Sequence, residues 1–221
     1  MGVARSIVCI SQTTGSGGLE IGHAVAERLG FRYLDEEIVA LAAARERIDP
    51  EEVADVERRQ TLVRRLLHGL ERREKLETFA HSALFPDPDA ERPPRILPLA
   101  TNEDHRAAIR AVIHETAERG QVVIVSHAAS IALADMPGLL RVLVTASLET
   151  RAQRVSGPEV DSPRALKAVQ ETDRARADYL KRFYGVSREE PTHYDLVVNT
   201  DVLSHEEAVD LIVAVAQGPQ S

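Results

Sequence analysis

Five short apolar segments alternate with segments of helical periodicity along the 221-residue chain. These segments cover residues 7–10, 31–34, 122–125, 139–145 and 196–198, and most are rich in β-branched side chains. Such segments are typical of strands that are buried on both faces of a sheet. Between them, apolar residues recur at helical spacing, which indicates amphipathic helices. The alternation predicts an α/β fold, with a mainly parallel, doubly wound sheet and helices on both faces.

A glycine-rich connection follows the first apolar segment and precedes a helix. It contains Gly15, Ser16, Gly17 and Gly18. Free N–H groups at the start of a helix, together with the helix dipole, favour a bound phosphate. The glycine spacing does not match the dinucleotide-binding fingerprint, and it matches the P-loop pattern only in part, because Gly18 replaces the lysine. These four residues are predicted to bind phosphate; a glycine-rich turn without a ligand is the alternative.

Composition and charge exclude several classes of partner. Aromatic residues make up 4% of the chain, there is no tryptophan, and the formal net charge is −8. Stacking on nucleic-acid bases and a broad surface for phosphate backbones are therefore disfavoured. The single cysteine, Cys9, lies in an apolar segment, and neither a signal peptide nor an apolar run of membrane length is present. We expect a cytoplasmic protein without nucleic-acid or membrane partners.

The middle of the chain is helical and highly charged. Residues 49–85 carry a narrow apolar stripe among many arginines and glutamates, and residues 86–94 form a proline-rich loop. A solvated face with salt bridges is the default interpretation of such a pattern. A surface for a substrate phosphate, or for a second copy of the chain in a homo-oligomer, is the alternative.

Two polar residues follow predicted strands at the sheet edge where ligands bind in open α/β folds. Asp35 is either a substrate-binding acid or the N-cap of the next helix. His127 follows the strand at 122–125 and is either a hydrogen-bonded histidine at a strand end or a partial replacement for a missing cation. No histidine or cysteine spacing typical of a zinc site is present, so no metal site is predicted.

Several segments together resemble the cytidylate kinase-like family of P-loop kinases. They are residues 10–22, 31–38, 122–127, 172–179 and 194–201, and they keep the order of the family along nearly the whole chain. The resemblance implies a nucleoside monophosphate kinase fold: one domain, residues 1–221, with three layers around a parallel five-stranded sheet. It also implies a helical substrate-binding insertion at 45–100 and a lid at 151–184.

The resemblance further implies a nucleoside monophosphate kinase that transfers the terminal phosphate of ATP, with Mg²⁺, to CMP or a similar small acceptor. The catalytic positions of the lid correspond to Asp173, Arg174 and Arg176, and Arg151 and Arg154 are substrate-binding candidates at its base. The chain departs from the family at three places. Gly18 stands at the lysine position, and Gln12 and Leu19 stand where the family often has an arginine. Ser126-His127 stands where the family usually has Gly-Arg. The alternative is therefore a module that binds a nucleotide or another phosphorylated ligand without transferring phosphate.

Overall fold

The computed structural model describes residues 5–35, 102–125, 128–156 and 162–218. The strands are β1 (Ile7–Gln12), β2 (Arg32–Leu34), β3 (Val122–Val125), β4 (Leu139–Thr145) and β5 (Leu196–Asn199). The helices are α1 (Gly18–Leu29), α2 (Asn102–Glu118), α3 (Ala129–Ala132), α4 (Leu148–Ser156), α5 (Ser162–Tyr184) and α6 (His205–Gln217), and a 3₁₀ turn covers Pro191–His193. The predicted insertion at 45–100 and the loop between α4 and α5 lie outside the described residues, apart from the ends of that loop.

The five strands form one sheet in the order β2-β3-β1-β4-β5, and every pair of neighbours is parallel. This confirms the predicted doubly wound α/β fold. The chain runs to one side of β1 for β2 and β3 and to the other side for β4 and β5. The carboxyl end of β1 therefore lies at the point where the direction of winding reverses, which is the usual ligand site of such sheets.

Alternate residues of the central strands are buried on opposite faces of the sheet. Because successive strand side chains point to opposite faces, Ile7 and Cys9 pack on the side of Ile113 in α2. Val8 and Ile10 pack on the other side, with apolar residues of α1 and α6. Both faces of the sheet are covered, which explains why the central strands are apolar without interruption.

The ends of several helices follow the signals in the sequence. Gly30 ends α1 in the left-handed conformation, with φ of 67°. Ser204 and Glu207 form a capping box at the start of α6, and the Ser147 hydroxyl accepts a hydrogen bond from the Thr150 N–H at the start of α4. The sequence analysis did not predict α3, a four-residue helix that begins after Ala128.

The part of the predicted lid that the structure describes consists of α4 and α5. These helices share a small apolar cluster of their own, which includes Ala152, Ala165 and Val169. The division of the chain into core, insertion and lid stays a prediction.

Candidate functional site: the turn after the first strand

Residues 13–18 connect β1 to α1 and are called the glycine turn below. Gly15 and Gly17 have φ of 83° and 84°, in the left-handed region that favours glycine. Gly17 is the N-cap of α1 and makes no side-chain capping bond. The turn therefore delivers the chain into α1 with the first backbone N–H groups of the helix uncapped.

Most backbone N–H groups of the glycine turn have no acceptor among the described residues. The exceptions are Thr13, whose N–H donates to the Val144 carbonyl, and Ser16, whose N–H donates to the Thr13 carbonyl at 3.0 Å. Within the described part of the chain, the unpaired donors are the N–H groups of Thr14, Gly15, Gly17 and Gly18 in the turn, and those of Leu19 and Glu20 in the first turn of α1. A row of unpaired donors at the N-terminus of a twelve-residue helix is the arrangement that binds a phosphate.

Ser16 anchors the glycine turn to the sheet. Its side chain is fully buried, and its hydroxyl donates to the Val144 carbonyl of β4 at 3.0 Å. Both donors of Ser16, the hydroxyl and the N–H, are therefore used within the protein. Its predicted phosphate contact stays a prediction and would require one of these bonds to open.

Gln12 occupies the space beside Gly18. A Cβ placed on Gly18 would lie 2.6 Å from the Cβ of Gln12 and 2.7 Å from its Oε1. Non-bonded Cβ atoms essentially never approach this closely, so any side chain at position 18, lysine included, would require Gln12 or the backbone of the turn to shift.

His205, the first residue of α6, lies against Gly17. A Cβ placed on Gly17 would be 2.3 Å from the imidazole Nε2. The missing Cβ at position 17 lets this side chain approach the backbone of the turn.

The side chain of Arg151, in α4, contacts both the glycine turn and α5. Its buried guanidinium forms two hydrogen bonds to the Asp173 carboxylate of α5, at 2.9 and 2.8 Å. It also donates to the carbonyls of Ala146 at 3.1 Å and Thr14 at 3.5 Å. Arg151 and Asp173 were predicted as separate substrate-binding and catalytic residues; the structure joins them in one ion pair.

Arg154, one turn further along α4, contacts the turn and the end of β5. Its guanidinium donates to the Thr200 hydroxyl at 2.8 Å, to the Thr200 carbonyl at 2.7 Å and to the Gly15 carbonyl at 3.5 Å. The buried Thr200 hydroxyl in turn contacts the Ser16 carbonyl at 2.9 Å. The sequence analysis missed Thr200, although its place at the carboxyl end of a parallel strand was a usable signal.

Comparison with known proteins gives a match to one protein family. The model of the cytidylate kinase-like family matches residues 7–202, nearly the whole chain. This chain belongs to the cytidylate kinase-like family. It is also similar to a cytidylate kinase of Methanopyrus kandleri, with 32% identity over 109 residues, which covers 45% of this chain and 56% of that protein. The similarity thus spans little more than half of that relative.

Solved structures support the fold of this family member. An uncharacterized protein from Eubacterium ventriosum superposes with a TM-score of 0.61 and 17% identity, over 97% of this chain and all of the other. The shikimate kinase of Bacteroides thetaiotaomicron superposes with a TM-score of 0.50 and 15% identity, over 95% and 97% of the two chains. A sugar kinase from Janibacter gives 0.50 and 16%, over 98% and 99%. The fold is that of P-loop kinases.

Two further arginines were predicted to be catalytic in the lid. Arg176 is buried and forms two hydrogen bonds to Glu189 at 2.9 and 2.7 Å, and the Tyr194 hydroxyl contacts the same carboxylate. Arg174 is exposed and, within the described ranges, forms no hydrogen bond or ion pair. Of the two, Arg174 is the one whose guanidinium is available to a ligand without breaking an ion pair.

Of the predicted substrate-binding residues Asp35 and His127, the structure describes only Asp35. Asp35 directly follows β2 at the carboxyl edge of the sheet, half-buried, and β2 lies two strands from β1. Adjacent strands are about 4.8 Å apart, so its backbone lies roughly 10 Å from the end of β1. His127 lies outside the described residues. The roles of both residues stay predictions.

Metal-binding side chains do not cluster in the part of the chain that the structure describes, where no three His, Cys, Asp or Glu residues come together. Asp201 lies at the end of β5 but caps α4, since it accepts hydrogen bonds from the Ser147 N–H and hydroxyl. Hydrogen bonds from the Thr150 hydroxyl and the Ser147 N–H lower the pKa of Asp201. Among the described helices, none is long and apolar enough to cross a membrane.

Proposed function

We propose that this protein is a nucleotide kinase that binds the phosphates of ATP at the glycine turn and transfers the terminal phosphate to CMP or a similar small acceptor. The observation that supports this is the set of N–H groups of Thr14, Gly15 and residues 17–20, which have no acceptor among the described residues. These donors lie at the switch point of the sheet, in a chain that belongs to the cytidylate kinase-like family. Family membership indicates a kinase-type function; the acceptor is part of the proposal.

The N–H donors of the glycine turn can bind the oxygens of a triphosphate, but they cannot bind a metal ion. Backbone N–H groups bind phosphate oxygens directly. Leu19 stands where a P-loop has the hydroxyl that holds Mg²⁺. Mg²⁺ commonly binds through substrate phosphates, water and one or two carboxylates. The ion would therefore be carried mainly by the nucleotide, where it neutralises charge on the phosphates.

Arg174 of α5 is a candidate source of positive charge for the site. It is exposed and, within the described ranges, forms no hydrogen bond or ion pair, whereas Arg154 already donates to the carbonyls of Gly15 and Thr200. We propose that Arg174 neutralises charge on the phosphates when the lid helices approach the nucleotide. A clamp of this kind is worth about 10³-fold or more in the rate of phosphoryl transfer.

A second candidate function is nucleotide binding without transfer. The specific observation that favours it is the position of Gln12, which leaves no room for a lysine at position 18 unless Gln12 or the backbone of the turn shifts. In addition, the guanidinium groups of Arg151 and Arg176 are held in ion pairs. Such a protein would keep its backbone donors for phosphate but would lack the charge needed in the transition state.

A coupled assay and calorimetry separate the two candidates. The assay measures ADP formation from MgATP with CMP, dCMP, UMP and AMP, and calorimetry measures ATP binding with and without Mg²⁺. Turnover with one of these acceptors supports the kinase. Binding of ATP without turnover, even at high protein concentration, supports the binding module. If ATP does not bind at all, both candidates are wrong.

A pair of variants excludes contaminating kinases. Gly17→Asp places a carboxylate among the unpaired N–H groups and is expected to abolish both binding and turnover. Because its Cβ would also lie against the His205 imidazole, circular dichroism must show that both variants fold. Gly30→Asp introduces the same carboxylate at the opposite end of α1, where a Cβ would have no neighbour within 4 Å, and is expected to leave both unchanged. Turnover that survives Gly17→Asp would assign the activity to a contaminant.

A further inference from the structure

Three consecutive carbonyls of the glycine turn face groups on α4 and at the end of β5. The Thr14 carbonyl faces the Arg151 guanidinium at 3.5 Å, and the Gly15 carbonyl faces that of Arg154 at 3.5 Å. The Ser16 carbonyl accepts a hydrogen bond from the Thr200 hydroxyl at 2.9 Å. Of these contacts, the last is the closest and is fully buried.

The orientation of a carbonyl decides the orientation of the next N–H. In a planar trans peptide, the C=O of one residue and the N–H of the following residue point in opposite directions. A Thr14 carbonyl directed at α4 therefore turns the Gly15 N–H away from α4. In the same way, a Ser16 carbonyl directed at Thr200 turns the Gly17 N–H away from Thr200. Gly15 and Gly17 both contribute unpaired donors to the glycine turn.

We propose that Thr200, Arg154 and Arg151 are positioning residues, which hold the peptide planes of the glycine turn so that the Gly15 and Gly17 N–H groups face the phosphate. This inference rests on the proposed phosphate binding, but it gives the two arginines a different task from contact with the substrate. Donors that are oriented before the ligand arrives need no reorganisation when it binds.

The hydrogen bond from the Thr200 hydroxyl to Ser16 has a defined direction because Arg154 donates to the same hydroxyl oxygen. A hydroxyl has one proton to donate and two lone pairs to accept with. The guanidinium of Arg154 donates to the Thr200 oxygen at 2.8 Å, so the hydroxyl proton is free to point at a carbonyl. The Ser16 carbonyl, at 2.9 Å, is closer than the Thr145 carbonyl at 3.3 Å. Arg154 thus influences the orientation of the Ser16 carbonyl through the Thr200 hydroxyl.

Asp173 connects the lid helix α5 to the same set of contacts. Its carboxylate binds the Arg151 guanidinium through two hydrogen bonds, and the same guanidinium faces the Thr14 carbonyl. A displacement of α5 would therefore move the group that faces Thr14. In this arrangement Asp173 is a positioning residue for Arg151, and the lid is linked mechanically to the phosphate-binding turn.

The test measures the direction of the Gly17 N–H in the ligand-free protein. Thr200→Val keeps the shape of the side chain and removes its hydroxyl, whereas Thr200→Ser keeps the hydroxyl. We expect Thr200→Val to change the N–H residual dipolar coupling of Gly17 while the couplings of α6 stay as in the wild type. Thr200→Ser should restore the wild-type value. An unchanged Gly17 coupling in Thr200→Val overturns the proposal, whether or not ATP binds.

Calorimetry with ATP provides the second measurement. Removing one orienting hydrogen bond should raise the dissociation constant of ATP about tenfold in Thr200→Val and less than twofold in Thr200→Ser. The matched control is Thr172→Val, which removes another buried hydroxyl bonded to a carbonyl, that of Ala168; its ATP affinity should not change. Wild-type protein that fails to bind ATP contradicts the proposed function, whereas equal affinities of wild type and Thr200→Val contradict the positioning role.

A second variant covers the case in which Thr200→Val does not fold. Arg154→Leu removes the donor to Thr200 from an exposed position, and Arg164→Leu, at an exposed arginine of α5, is its control. Arg154→Leu should weaken ATP binding and alter the Gly17 coupling, and Arg164→Leu should do neither. Identical behaviour of these two variants overturns the proposal.

Discussion

Replacing Gly15 with alanine tests how closely α4 packs against the glycine turn. An alanine at φ of 83° is strained by about 1–2 kcal/mol, because the left-handed conformation brings its Cβ close to the carbonyl oxygen. Its Cβ would also lie 2.6 Å from the Arg151 carbonyl oxygen and 3.1 Å from the Arg151 Cα. These are backbone atoms of a helix, so α4 must shift to relieve the contact.

The magnitude follows from the sum of these two effects. Overpacking of this kind costs about 1–3 kcal/mol, so Gly15→Ala should lower the free energy of unfolding by about 2–5 kcal/mol in total. Gly30→Ala is the matched control, because Gly30 also has a positive φ but a Cβ there has no neighbour within 4 Å. Gly30→Ala should therefore show only the backbone strain of about 1–2 kcal/mol.

Urea unfolding followed by circular dichroism measures both variants. The difference between them isolates the contact with α4, because the conformational strain and the effect on the unfolded chain are common to both. Gly15→Ala should also weaken ATP binding, since a displaced α4 moves Arg151 and Arg154. Equal losses of stability in the two variants, within about 0.5 kcal/mol, would show that α4 does not press on the turn and would refute the packing described above.

Three further predictions concern ionisable groups. Burial raises the pKa of the Cys9 thiol far above its usual range. The free energy of unfolding should therefore fall by about 1.4 kcal/mol per pH unit above roughly pH 8.5, where the thiol of the unfolded chain ionises. Urea unfolding at pH 7–10 should show this decrease in the wild type but not in Cys9→Ala. A hydrogen bond from Arg141 lowers the pKa of Asp195, so the contribution of Asp195 to the free energy of unfolding should be complete above about pH 4 and disappear as the pH falls. Asp195→Asn should lower the free energy of unfolding by about 1 kcal/mol at pH 7 and reduce its dependence on pH in the acid range. Arg176→Ala should cost about 3–5 kcal/mol in urea unfolding because it leaves the mostly buried Glu189 carboxylate without its cation. Arg174→Ala should stay within about 0.5 kcal/mol of wild type but slow ADP formation by about 10³-fold; the reverse order of stabilities, or unchanged turnover in Arg174→Ala, would contradict these assignments.

Local signals predicted the strands and helix ends well. The apolar segment at residues 122–125 could only be a strand buried on both faces, and the structure places it inside the sheet as β3. A capping box of Ser204 and Glu207, three positions apart in the sequence, starts α6. Such features are visible in the sequence because they depend on residues within one or two turns of each other.

The partners of the charged residues were much harder to predict. Arg151 and Asp173 are 22 positions apart, and Arg154 and Thr200 are 46 positions apart. No local pattern distinguishes an arginine that contacts a ligand from one that binds a carboxylate on another helix. The resemblance to the family predicted both arginines as substrate-binding candidates, which stays a prediction, but only the packing of α4 against α5 and β5 shows which acceptors they reach.

The order of residues along the chain was enough to predict the α/β kinase fold, which the structure confirms, and a glycine-rich turn at residues 15–18, whose phosphate binding stays a prediction. Periodicity, caps and glycine spacing are short-range properties, so they survive in a one-dimensional pattern. The direction of each N–H group in that turn depends on three carbonyl contacts from α4 and β5. Those contacts exist only after distant segments pack together, which is why the tertiary structure alone decided how the turn presents its donors.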